Sequence, residues 1–303
     1  MNITNATDRF TRQLAANGRS AHTQAAYRRD LEALARWLKV PSSGKGGKPD
    51  LGKITPDLLA RFLTSDAVLL TRLGAPRSPM SVNRTKSALR SFFAFCVESG
   101  WIRENPARLI RSSPATPKEP TTLTEGEIER LRSVLGKRSG PVAGRDRLAF
   151  EILLGTGIRL GSLVSLNVGD IDLKQGTLHI KAKGGRQERV FLNPVLVRML
   201  GRFLREVAPQ GNGAPDVPLI RSVHGKRLGA RQVQLRFAKW CREAGIDRPV
   251  SVHSLRHTFA TGLYHKTGDL HLVQRALGHR QITTTEVYAR VSDDRVRRAV
   301  GSR

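Results

Sequence analysis

The chain is poor in cysteine, in tyrosine and in acid. Two cysteines, Cys96 and Cys241, occur in 303 residues, both inside apolar, helix-like stretches, so they read as small core residues rather than a disulfide. No Cys/His pairs stand at zinc spacing, and no Gly-x-x-x-x-Gly-Lys-Ser/Thr phosphate loop is present. Neither a structural metal nor a nucleotide-driven step is therefore expected, and no cofactor is assigned. No stretch approaches the ~18 apolar residues of a spanning helix, and the first residues, with Asp8 among polar neighbours, lack the zones of a signal peptide. Acid is scarcest of all: 25 Asp+Glu face 52 Lys+Arg, a formal net charge of +27. That balance asks for a polyanionic partner, nucleic acid first. The first 112 residues hold 19 Lys+Arg against 8 Asp+Glu and the remainder 33 against 17. The excess thus runs through the chain rather than sitting in a tail, which suits gripping a duplex from two sides.

The length suits two domains. Residues 112–122 (SSPATPKEPTT) combine three prolines with Ser and Thr, a composition that resists helix and strand, and they are read as a linker between residues 1–111 and 123–303. Before it, residues 23–40 carry Tyr27, Leu31, Leu34, Ala35 and Leu38 at helical spacing, with Arg28, Arg29 and Asp30 off that face. A second helix is expected from about Pro56. A third runs over 81–99, with Leu89, Phe92, Phe93 and Phe95 as core. Residues 42–50 (SSGKGGKPD) form a basic Gly/Lys insert, read as a loop near phosphates. After the linker, Thr124 and Glu127 match a capping box ahead of Ile128 and Leu131. An apolar helix over 146–155 runs into GTGIR. Residues 177–192 alternate apolar and polar side chains about Lys183-Gly184-Gly185-Arg186, which predicts a hairpin. The rest is helical in period. The fold class is therefore mainly α, a small helical bundle followed by a mostly α domain with a small antiparallel sheet.

Six residues could carry chemistry. His253 and Arg256 are three apart in VHSLRHTFAT, so a helix projects both from one face, with Leu255, Phe259 and Leu263 directed elsewhere. Arg159 follows two glycines at a helix end, a turn that presents a guanidinium at a cleft mouth. Lys183 at the hairpin tip has the reach to hand a proton to a leaving oxygen. Of the three tyrosines, Tyr27 and Tyr264 sit in apolar helical contexts and read as packed. Tyr288 differs: it follows His279 by nine residues, after a turn at Gly278 and a Thr283 to Thr285 run that starts a short helix. Two guanidiniums can hold the non-bridging oxygens of a phosphodiester while a tyrosyl oxygen attacks it, because their forked donors match the charge spread over those oxygens.

Taken together, GTGIRLGSLVSLNVGDID, KAKGGRQERVFL, HSLRHTFAT and RALGHRQITTTEVYARV resemble the tyrosine recombinase (phage integrase) family, in the layout of the compact Xer-type enzymes. The likeness spans nearly the whole chain, since residues 23–38 and 81–109 are similar to the helical, SAM-like core-binding domain that precedes the catalytic domain there. The resemblance implies that Arg159 and Arg256 hold the scissile phosphate, that Lys183 is general acid to the leaving 5′ hydroxyl and that His253 assists proton transfer. It further implies that His279 hydrogen-bonds the phosphate and that Tyr288 is the nucleophile. A 3′-phosphotyrosine keeps the energy of the broken ester, so rejoining needs neither metal nor ATP. Double-stranded DNA is the implied partner, with a homotetramer in the synaptic complex, a second recombinase or accessory protein as a further partner, and a cytoplasmic, nucleoid-associated location.

Two rivals stay open at this level: a relaxing type IB-like activity, which needs only a monomer, and a catalytically silent DNA-binding protein of the same fold. One position departs from the family pattern. Three residues after the first arginine the family usually has an acidic side chain that buttresses the site, and here it is Ser162; Asp170 is a candidate replacement. After Tyr288, the basic stretch VSDDRVRRAVGSR spaces Val291, Val296 and Val300 for one helix edge, which suits packing on its own domain as well as on a neighbouring protomer. Ser162→Glu is expected to leave folding and strand cleavage intact; a folded variant that no longer cleaves would contradict this.

Overall fold

The computed structural model describes residues 1–39, 50–114, 119–181, 187–207, 214–278 and 288. The basic insert before Asp50, the hairpin tip with Lys183, His279, the 283–285 helix start and the tail after Tyr288 lie outside them. The chain divides into two units, Met1–Pro117 and Lys118–Arg303.

The first unit is a helical bundle of α1 (Ile3–Ala16), α2 (Ala21–Trp37), α3 (Pro56–Leu63), α4 (Asp66–Leu69) and α5 (Pro79–Glu98). Side-chain oxygens open four of these helices: Asn2, Ser20, Thr55 and Ser78 each accept a backbone N–H of the first turn. Pro56 and Pro79 stand at first helical positions, where the missing N–H costs nothing. Ile3, Phe10 and Leu14 from α1 meet Leu31 and Leu34 from α2, Leu59 and Phe62 from α3, and Leu89, Phe92, Phe93 and Cys96 from α5 in one apolar core. Phe95 and Tyr27 pack on its margin, Tyr27 stacked on Phe10 at 6.4 Å. Helices α1 and α4 stand where the sequence reading assigned none. Asp30 also departs from its expected solvent face. It is 5% exposed, because both its carboxylate oxygens receive the Arg84 guanidinium of α5 at 3.0 Å, which offsets the cost of burying the charge.

The second unit comprises α6 (Glu125–Gly136), α7 (Pro141–Thr156), α8 (Leu160–Ser165), a three-stranded antiparallel sheet, α9 (Pro194–Val207), α10 (Ala230–Glu243), α11 (Val252–Thr267) and α12 (Leu270–Leu277). The sheet runs β1 (Ile171–Asp172), β2 (Thr177–Lys181) and β3 (Gln187–Phe191) in spatial order. β2 pairs with β3 from Thr177↔Phe191 to Lys181↔Gln187, the register of the expected hairpin. α7 begins five residues earlier than the apolar run suggested, at Pro141, because Asp146 and Arg145 are buried inside it. The Asp146 carboxylate receives Arg145 at 2.7 Å, the Trp240 indole N–H at 2.8 Å, and Arg236. That satisfied cluster ties α10 to α7 across a core in which Leu148, Ile152 and Leu153 meet Phe237, Trp240 and Leu255. Cys96 and Cys241 are buried free thiols, pushed by burial up to about 12 and about 11 respectively. Among the described residues no helix is long and apolar enough to cross a membrane.

The capping box at the start of α6 is present: Thr124 Oγ1 accepts the Glu127 N–H, and the Glu127 carboxylate accepts the Thr124 N–H at 2.8 Å. The same carboxylate receives Arg248 at 2.7 and 2.6 Å. The Arg248 bond, with the cap, holds Glu127 down to about 2 against burial's opposing pull. A carboxylate whose folded pKa is depressed stabilises above its unfolded value of 4.5 and loses that contribution as pH falls toward the folded one. Glu127→Gln is expected to cost roughly 1–3 kcal/mol at pH 7 in urea unfolding, and the gap from wild type should close between about pH 5 and pH 2. A gap that does not change with pH would contradict this.

Candidate active site

The end of α7 sets the geometry. Gly157 closes that helix at φ +64°, a conformation glycine adopts without strain. A methyl there would meet the Phe259 ring of α11 and, at 3.1 Å, Leu277 of α12, so the glycine also lets three helix segments converge. Arg256 fills the junction. It projects from the first turns of α11, is 4% exposed, and donates to the Gly157 carbonyl at 2.6 Å and the Leu277 carbonyl at 2.8 Å. Both acceptors lie at helix C-termini, where unsatisfied carbonyls carry partial negative charge. Burial, together with Arg159, still draws Arg256 down to about 10, while Tyr288 and Glu188 oppose the shift. The guanidinium is charged at neutral pH.

Arg159 stands at the start of α8 with its side chain unused as a cap and exposed. It lines, with Arg256, a cleft of about 290 Å³ whose wall also includes Ser162, Glu188, Arg189, Arg275 and Gly278. Four guanidiniums and one carboxylate around such a space fit an anion with several oxygens. His253 is exposed on the outer turn of α11. Partial burial of its ring, then Arg256 and Arg159, lower it from the ordinary histidine value. One turn on, the His257 ring meets the His253 ring edge to face at 4.6 Å. Tyr288 is 2% exposed, packed with Ala260, Val273 and Leu277 and bordered by Phe259, Leu263 and Tyr264. Phe259 and Leu263 therefore border the tyrosine rather than pointing away from the site. The Tyr288 hydroxyl lies 2.9 Å from His257 Nδ1. Burial raises its pKa above the ordinary tyrosine value, with Arg256 and Arg159 pulling the other way.

Four of the six residues singled out from the sequence are described, and α11 is the element that relates them. Arg159 and Arg256 share the cleft, His253 lies beside Arg256, and Tyr288 packs behind the same helix. Lys183 and His279 fall outside the described residues, although β2 and β3 flank the first and Gly278 immediately precedes the second. Two residues were not singled out. His257 is four residues after His253, a spacing that puts both on one helix face. Glu188 alternates onto the face of β3 that carries buried Val190. Asp170, considered as a stand-in for the acid absent at Ser162, is instead spent locally, accepting the Asn167 N–H at 2.8 Å. The carboxylate lining the cleft with Ser162 is Glu188. Among the described residues no cluster of three or more His, Cys, Asp or Glu is arranged to hold a metal ion.

The "Phage integrase family" model matches residues 121–295, and the "Phage integrase, N-terminal SAM-like domain" model matches residues 7–100. Tyrosine recombinase XerC of Neisseria gonorrhoeae is 32% identical over 294 residues, 96% of this chain and 92% of the relative. The fold is similar to XerH site-specific recombinase in a post-cleavage complex on a palindromic difH substrate, with a TM-score of 0.73 at 24% identity over 95% of this chain and 81% of that one. It is also similar to a lambda integrase tetramer bound to a Holliday junction, with a TM-score of 0.69 at 23% identity over 93% and 79% of the two chains.

Proposed function

The chain belongs to the phage integrase family of tyrosine recombinases, which makes it a site-specific DNA strand-transfer enzyme, and we propose that Tyr288 is its nucleophile. The observation that carries this reading is the convergence on α11 of a buried, charged Arg256, an Arg159 sharing its cleft, and a tyrosine whose hydroxyl is already hydrogen-bonded to a histidine of the same helix. Arg256 spends two of its five donors on fixed carbonyls, so its remaining N–H groups are pre-oriented toward the cleft rather than having to be ordered during reaction. Arg159, exposed and uncapped, supplies the second fork. Charge that develops on the non-bridging oxygens meets donors that cost no reorganisation.

The reaction forms a bond from Tyr288 Oη to phosphorus and breaks the bond from phosphorus to the 5′ oxygen. Lys183 is assigned as the donor of a proton to that leaving oxygen, His253 as an assistant in proton transfer, and His279 as a hydrogen-bond donor to the phosphate. The phosphotyrosine ester preserves the energy of the broken link, so a new 5′ hydroxyl reverses the step. Residues 1–111 act as the core-binding domain and 123–303 as the catalytic domain, joined by 112–122, with both basic portions placed on the duplex backbone. The working assembly is a tetramer on synapsed DNA, a reading that the lambda integrase tetramer bound to a Holliday junction supports, with a second recombinase or accessory protein as a further partner. An intact set of described site residues supports this reading over a silent DNA-binding role.

The test is a denaturing-gel search for protein-linked DNA, using a library of nicked duplex fragments that let the short strand diffuse away after cleavage. Wild type is expected to give a covalent band and Tyr288→Phe none. Arg256→Ala should lower the yield by about 10² or more, the scale set by removing one preorganised donor to a developing oxyanion. A band that survives Tyr288→Phe would overturn the assignment, and salt-sensitive binding without any covalent product would favour the silent role.

A further inference from the structure

We propose that His257 takes the proton from Tyr288 as the tyrosyl oxygen attacks phosphorus, a role that rests on the reading of Tyr288 as nucleophile. His257 Nδ1 stands 2.9 Å from the Tyr288 hydroxyl, within the reach a general base needs. The rings are tilted by 53° with centroids 5.7 Å apart, so the contact runs through the ring edge, where the nitrogen lone pair lies, rather than through a stacked face. Burial, then His253, then Arg256, hold His257 down to about 4, so the imidazole is neutral, with one ring nitrogen protonated and the other free to accept. Burial also keeps the phenol protonated. In the proposed resting state the ring proton is on Nε2, and the tyrosine donates to Nδ1.

The proton on that oxygen has to leave when the oxygen bonds to phosphorus, and it already points along a hydrogen bond. Two things make the transfer easier during reaction than at rest. The phenol grows more acidic as its oxygen gives electron density to phosphorus. The incoming phosphodiester also brings negative charge to the cleft of Arg159 and Arg256, relieving the repulsion that Arg256 exerts on an imidazolium at His257. Electrons and protons balance. The Oη–P bond forms, the P–O5′ bond breaks, the tyrosyl proton goes to Nδ1, and the 5′ oxygen takes its proton from the general acid. On rejoining, the imidazolium returns that proton to Tyr288. In the described geometry the tyrosine hydroxyl bonds to His257, whereas His253 meets His257 through ring contact.

The experiment uses the full chain and the nicked fragment trapped most efficiently by wild type, with single-turnover cleavage measured at saturating protein and binding measured by gel shift. His257→Asn keeps a hydrogen-bond acceptor but no basic nitrogen; His257→Phe removes both. Both are expected to bind DNA as wild type does and to cleave slower by about 10² or more, the range of general acid–base effects. The defect should persist on a fragment with sulfur at the bridging 5′ position, where departure needs no proton, whereas that fragment should restore Lys183→Ala. Wild-type cleavage by both variants, or by His257→Asn alone, would overturn the proposal, the second result leaving only a positioning hydrogen bond. A wild-type protein that forms no adduct, or an adduct that survives Tyr288→Phe, would overturn the nucleophile reading and this proposal with it, and is distinguishable because it does not depend on residue 257.

Discussion

The second unit depends on one buried cation. Arg256 is placed where α7 and α12 end, and its bonds to the carbonyls of Gly157 and Leu277 tie both helix ends to α11. A guanidinium taken out of water is tolerated there because two helix C-termini aim partial negative charge at it. The same bonds leave the remaining donors facing a cleft with three further arginines. One side chain thus anchors the helix ends and lines the cleft, and the glycine at 157 serves both, since a Cβ there would meet the Phe259 ring of α11 and Leu277 of α12.

Concentrated positive charge shapes the neighbouring groups. After burial, it is a further cause that lowers His253 and His257 from the ordinary histidine value, while Glu188, at the cleft wall, is the one carboxylate lining it among the described residues. Tyr288 is held under apolar cover with its hydroxyl 2.9 Å from His257 Nδ1, close enough to feel Arg256 and Arg159 without itself lining the cleft. Ser162 fits this arrangement: with Glu188 across the same space, a second acid beside Arg159 is not the only source of negative charge.

Much of this was legible in the residues. Caps such as Thr124/Glu127, prolines at first helical positions and the alternation over 177–192 act locally, and local rules place α2, α3, α5, α6 and the β2–β3 pair within a few residues. Arg159, His253, Arg256 and Tyr288 stand out because they sit in short motifs that follow one another in a recognisable order. What escaped depends on partners distant in the chain. Asp30 is buried because Arg84 lies 54 positions away. Asp146 belongs to a helix interior because Arg236 and Trp240 reach it from α10. Glu188 enters the cleft through strand register, and His257 gains its meaning only once Tyr288 returns from 31 residues on. No periodicity in a single segment encodes such pairings.

The central claim is that one oxygen, on Tyr288, becomes linked to DNA. The most direct measurement is mass spectrometry of the protease-digested covalent adduct after nuclease trimming, which locates the nucleotide on a single side chain. The account predicts a 3′-nucleotide on the peptide containing Tyr288 and on no other. A nucleotide carried by Tyr27, Tyr264 or a serine would contradict it, whatever the yield of the adduct.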